Sequence, residues 1–153
     1  MKATDPKAKR TYEFEMEDIV FVVEQGTRCF TMFKSGTIAN LPQDEMKEVL
    51  KTFPAVYSDD FKNYVHINTE EISKCEWDEF DVAIDFQNGS ELLRLKKSDF
   101  EKNVLMTDTD KAKKVYDEMK DKILPMTHDE RMAYLNSHGN FGGEDKKNRD
   151  LEN

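Results

Sequence analysis

Glu17-Asp18-Ile19-Val20-Phe21-Val22-Val23 and Glu70-Glu71-Ile72-Ser73-Lys74-Cys75-Glu76 open two stretches of this chain that follow one plan, 53 positions apart. Each runs from an acidic pair before isoleucine, through a hairpin whose tip carries glycine, into a short amphipathic helix. Phe33-Lys34-Ser35-Gly36 answers Phe86-Gln87-Asn88-Gly89 at the same offset. Asp44, Val49 and Leu50 then answer Asp99, Val104 and Leu105 at an offset of 55, so the second copy carries two extra residues after its turn. Pseudo-repeats over residues 17–50 and 70–105 predict an α+β fold. Two hairpin-plus-helix units should build an antiparallel sheet or pair of sheets, with a C-terminal helix packed alongside.

Local patterns fill in this plan. The β-branched run Ile19 to Val23 is the kind of segment buried on both faces of a strand. Ser35-Gly36 and Asn88-Gly89 supply the positive φ of a tight hairpin turn. From Pro42 to Phe53 the spacing predicts a helix: Met46, Val49, Leu50 and Phe53 form one apolar stripe, and Asp44 and Glu45 sit at the positive end of the dipole. Residues 55–62 read as a loop pinned by Tyr57 and Phe61, and Tyr64 to Ile67 as a short strand. Val82, Ile84 and Phe86 alternate with polar or small residues, as a half-buried strand requires. Ser98 and Glu101 stand at capping-box spacing and open a helix over 98–106. Ala112, Val115, Tyr116, Met119 and Ile123 mark another over 109–124. Thr127 and Glu130 open a short helix within 125–136. The resulting organisation is a disordered basic N-terminus (1–10), a single α+β domain (11–124), the short helix, and a disordered polar tail (137–153).

The 153 residues are 37% hydrophobic and 36% charged, with a formal charge of −9. Such a surface repels a phosphate backbone unless its basic residues gather on one face. The densest basic run, Lys7-Ala8-Lys9-Arg10, reads as a solubilising tail. The same charge suits a protein partner with a basic surface. Cys29 and Cys75 have no CxxC or Cys/His grouping around them, which argues against zinc and for small buried apolar positions. The 32 carboxylates show no calcium-loop spacing. No metal or cofactor is expected, and no nucleophile elbow, phosphate loop, dinucleotide fingerprint or HExxH motif points to an enzyme. The first residues lack the apolar core of a signal peptide, and no apolar run reaches the roughly 20 residues needed to cross a bilayer. A cytoplasmic protein without membrane contact is the expectation.

Two places stand out as candidate partner-binding sites. Trp77-Asp78-Glu79-Phe80 sets the chain's one tryptophan and a phenylalanine among carboxylates in a hairpin loop. Rings would supply burial energy there and charge would steer the approach, unless Trp77 folds back over the sheet. His66 lies in a strand between Val65 and Ile67, so if those two face the core it faces solvent or a partner.

The string Phe61-x-x-Tyr64-Val65-His66, then Glu71-Ile72, Val82-Ala83-Ile84-x-Phe86-x-Asn88-Gly89, Leu95 and Ser98, resembles the C-terminal half of a LytTR DNA-binding domain. The segment around Ile19, Gly36, Leu41 and Met46 to Leu50 is similar to the N-terminal part of that family, and the second repeat also resembles small FlbD-like proteins. After the histidine the family usually carries arginine and serine, where this chain has Ile67-Asn68-Thr69. Of the family's DNA-contacting positions, the resemblance therefore carries over His66 alone. It implies an antiparallel α+β fold and, as one reading, a DNA-binding transcriptional regulator. Charge and the missing catalytic set favour another: a small acidic regulatory or adaptor protein that binds a macromolecule. An inhibitor of a host factor encoded by a phage or mobile element would fit that profile. For the DNA reading to hold, Arg28, Lys34, Lys62, Lys74, Arg94, Lys96 and Lys97 must converge on one face.

Overall fold

At Gly36 and Gly89 the backbone takes the same φ of +90°, a left-handed conformation that glycine enters without steric cost. The computed structural model describes residues 1–105, 129–130 and 132–133. Its elements run β1 (Lys2–Asp5), β2 (Arg10–Glu13), β3 (Ile19–Gln25), β4 (Arg28–Phe33), β5 (Ile38–Pro42), α1 (Lys47–Thr52), β6 (Ala55–Ser58), β7 (Asn63–Ile67), β8 (Ile72–Trp77), β9 (Asp81–Phe86), β10 (Glu91–Lys96) and α2 (Lys97–Phe100), the last continued by a π-helical turn at Glu101–Leu105. β1 and β2 form a separate ribbon. The other eight make one antiparallel sheet in the order β5-β4-β3-β7-β6-β10-β9-β8.

The pseudo-repeat is present down to single hydrogen bonds. Phe33 N–H donates to Thr37 O (2.9 Å) and Phe86 N–H to Ser90 O (2.8 Å); Lys34 N–H reaches Asp18 O (2.8 Å) and Gln87 N–H reaches Glu71 O (2.9 Å). A 3₁₀ turn precedes each first strand, at Met16–Asp18 and Thr69–Glu71. The pairing of β3 with β4 slips between Ile19 and Phe21, and that of β8 with β9 between Ile72 and Lys74. Both meanders lie in the same sense along the sheet, and the β6–β7 hairpin joins them. β7 pairs with β3, and β6 meets β10 at Leu95 and Ser58.

The sheet curls. In a flat sheet four strand spacings, about 19 Å, would separate β3 from β9, yet the Phe21 and Phe86 rings lie 5.6 Å apart. Curling brings the two glycine turns together: Asn88 Nδ2 donates to Phe33 O (3.3 Å) and Lys34 Nζ pairs with Glu71 (3.4 Å). The main core lies inside the curl, around Phe21, Val65, Ile67, Trp77, Ile84, Leu95 and Phe100. On the other side of β3, Ile19, Val22 and Cys29 pack with Leu41, Met46 and Val49. The Ile19 to Val23 run is thus buried on both faces, as its composition predicts.

Four expectations change. Within residues 1–10, expected to be disordered, Lys2–Asp5 pair with Arg10–Glu13 as a ribbon: Ala3 is in the second core, Thr4 N–H donates to Glu45 (2.7 Å), and the Met1 ammonium donates to Phe14 O (2.8 Å). Those long-range anchors order a stretch whose composition shows no periodicity. The helix expected from Pro42 narrows to Lys47–Thr52, because Gln43 N–H is held by Thr27 O (2.9 Å) and Pro42 closes β5. Part of the loop expected at 55–62 is strand β6, drawn into register by β7. The helix expected at 98–106 starts one residue earlier, buries Phe100, and widens into a π-turn that buries Val104. Asp129, Glu130, Met132 and Ala133 are helical, and Met132 packs on Ala83 and Leu93. The helix at 109–124 and the tail at 137–153 lie outside the described residues.

Candidate functional site

The turn between β8 and β9 is built around one carboxylate. Asp78 turns its side chain inward and accepts the backbone N–H groups of Phe80 (2.7 Å) and Asp81 (2.6 Å), while its own N–H donates to Asp81 O (2.9 Å). The start of α2 locks the turn from the other side. Lys97 N–H donates to Phe80 O (2.9 Å), and Lys97 Nζ donates to Asp78 O (3.0 Å). The first copy makes the equivalent tie from Gln43 to Thr27, but with no aromatic at the tip. With its backbone fixed, Phe80 projects outward, 57% exposed.

The tip overhangs an open cavity of about 410 Å³, lined among others by Tyr57, Asp59, Phe80, Lys96, Lys97 and Glu101. Tyr57 stands edge-on to Tyr64, centroids 5.5 Å apart, and Tyr64 is itself exposed. Aromatic surface therefore runs from Phe80 across the cavity wall to Tyr57 and Tyr64, rimmed by Asp59, Glu79, Asp81 and Glu101 and by Lys96 and Lys97. Such a strip can grip a partner by ring burial while the carboxylates select a basic one.

The sequence-predicted candidates separate here. Glu79 and Phe80 are exposed at the tip. Trp77 is buried in the main core and Asp78 is fully buried beneath the turn: the tryptophan folds back under the sheet and the aspartate shapes the loop. His66 does not face solvent or a partner. It is buried, with Nδ1 3.2 Å from Phe53 O and Nε2 hydrogen-bonded to the Glu24 carboxylate. Both faces of β7 are covered, one by the core and the other by β3's Glu24 and the end of α1, so strand alternation misplaces this residue. Tyr57, Asp59 and Glu101 were missed, and Lys96 and Lys97 were singled out only as cations for DNA, since segments some 40 residues apart in sequence meet only through the bridge of β6 to β10. The repeat offset was the available signal: it sets Phe80 where the first copy has Thr27.

Of the seven basic residues that a DNA face would need, Lys34, Lys74, Arg94 and Lys97 are engaged by an acid or a carbonyl. Lys34 pairs with Glu71, Lys74 with Glu76 (3.7 Å) and Arg94 with Asp60 (2.9 Å). Burial raises the Asp60 carboxyl above its ordinary value, against the pull of Arg94. Its second oxygen is buried without a hydrogen-bond partner among the described residues. Arg94 itself sits at positive φ (54°), and its carbonyl accepts from Asp59 N–H (3.0 Å). Burial likewise pushes the thiols of Cys29 and Cys75 up to about 11 and about 12. Among the described residues no three His, Cys, Asp or Glu side chains gather as a metal site, and no helix is long and apolar enough to cross a membrane.

No protein-family model matches the chain, and no curated protein does. Among solved structures it is similar to the LytTr DNA-binding domain of a methyl-accepting/DNA response regulator from Bacillus cereus, with a TM-score of 0.49 and 9% identity over 67% of this chain and 93% of that one.

Proposed function

We propose that this chain is a regulatory module without chemistry of its own, which works by holding a protein that presents a basic surface. The observation that carries this reading is the Asp78-locked tip. It spends a buried carboxylate and two ties from α2 on displaying one apolar ring, and the cavity beside that ring carries Asp59, Glu79, Asp81 and Glu101 against Lys96 and Lys97. The cations argue in the same direction. A DNA-binding face needs lysines and arginines free to replace counterions along the phosphates, and three of the seven that would have to form it, Lys34, Lys74 and Arg94, are each paired with a carboxylate.

DNA binding, the reading that the sequence resemblance implies, is the alternative outcome of the test. A photo-cross-linking phenylalanine analogue placed at position 80, with position 27 of the first copy as internal control, is expected to trap a protein from 80 alone. A low-salt gel shift with random duplex is expected to leave the DNA unretarded. A nuclease-sensitive adduct, or retardation that fades steeply with salt, would replace the protein reading with the DNA one.

A further inference from the structure

The outermost strand β8 corresponds, 53 positions on, to β3 inside the sheet. The two share the preceding 3₁₀ turn, the register slip after the first residue and the antiparallel partner on one side. β3 also carries a strand on its second side: Phe21, Val22 and Val23 pair with Ile67, His66 and Val65 of β7. The equivalent positions of β8 are Lys74, Cys75 and Glu76, and among the described residues β8 pairs with β9 alone. At the other end of the sheet, β5 has the ribbon strand β1 beside it. β8 thus repeats a backbone that the fold already uses for two-sided antiparallel pairing, centred on the residue equivalent to Val22, which is Cys75.

The side chains specify what could add there. Lys74 and Glu76 flank Cys75 and point to the same side of the strand, opposite the buried thiol; their charged groups lie 3.7 Å apart. If a second β8 lies antiparallel with Cys75 opposite Cys75, then Lys74 stands opposite the other copy's Glu76, and Glu76 opposite its Lys74. The four charges alternate around a closed square. Opposite charges directly across an antiparallel pair are favourable and like charges are not. A two-fold axis through this point gives the self-complementary contact that symmetric dimers use.

We propose that the occupant of this edge is a second copy of the chain, paired β8 to β8 about Cys75, so that two curled sheets join into one. This inference does not depend on what the Phe80 site holds. A lone lysine on an edge strand ordinarily guards against such pairing; here Glu76, two residues on, converts the guard into a matching contact.

Sedimentation velocity of the full chain over a wide concentration range tests it. The unmodified protein is expected to dimerise, more strongly at low salt. K74E and E76K place like charges opposite one another twice in each dimer and are each expected to weaken association about tenfold or more. The double reversal K74E/E76K should restore it. Mixing the two single variants should also yield heterodimers, because every cross-strand pair is then attractive; this arm needs only that each single variant folds. A chain that stays monomeric at every concentration overturns the proposal. So does a dimer that ignores the charge reversals, since it would use another surface.

Discussion

Single residues in this protein carry opposite electrostatic roles, and each can be read out separately. Asp60 is held mostly away from water beside Arg94, and its carboxyl titrates above the ordinary value of 3.8 because burial disfavours the charged form. The folded state therefore takes up this proton at a pH where the unfolded chain has already lost it. Its contribution to stability is present at low pH and is lost as pH rises from the unfolded value through the folded one. The stability of the unmodified protein relative to Asp60→Asn should consequently increase as pH is lowered from 7 toward 4, the opposite of a salt-bridged surface aspartate; paired urea titrations measure it. Cys29 and Cys75 are thiols pushed to about 11 and about 12, so at neutral pH almost none is thiolate. Alkylation by iodoacetamide should be negligible in the native protein and rapid in urea. Gly36 and Gly89, at φ +90°, should each lose about 1–2 kcal/mol on substitution by alanine, through backbone strain alone, since open space surrounds the missing Cβ in both.

Elements are joined by a few polar ties that a contact pattern in sequence does not display. β7 is fastened to the end of α1 and to β3 through the two ring nitrogens of His66, which meet Phe53 O and the Glu24 carboxylate. His66→Ala would remove both ring contacts that join β7 to Phe53 O and to Glu24. The expected loss is about 2 kcal/mol, seen as a lower urea midpoint with unchanged slope. The bridge between β6 and β10 rests on a similar device, where Arg94 leaves the regular strand conformation and holds Asp59 and Asp60. A positive φ at an arginine costs energy, and the contacts made from that conformation offset it.

Over the whole molecule, the curl decides cooperativity. The main core takes Phe21 and Val23 from the first copy and Ile84, Phe86 and Leu95 from the second, so the second pseudo-repeat has no complete core without the first, whereas the smaller core around Val22 and Leu41 lies wholly within the first half. Residues 54–105 produced alone should give a poorly dispersed NMR spectrum, while the full chain unfolds in one transition. Phe21→Ala, at the contact between the copies, should cost about 3–5 kcal/mol and should lower the stability of both halves together when followed by amide exchange.

Duplication, strand character, the glycine turns and the apolar stripes were legible from residue order, because each depends on neighbours within about a dozen positions. So were the exposed Phe80 and Glu79, which lie at a turn that the hairpin pattern marks. The burial of Trp77, Asp78 and His66 was not legible, nor was the ordering of the first ten residues. Alternation along a strand says which residues share a face; it does not say how many faces are covered. In this protein the sheet rolls onto itself and β1, β2 and α1 close over its back, so tertiary packing alone settled which polar side chains were taken from water and which aromatic was left in it.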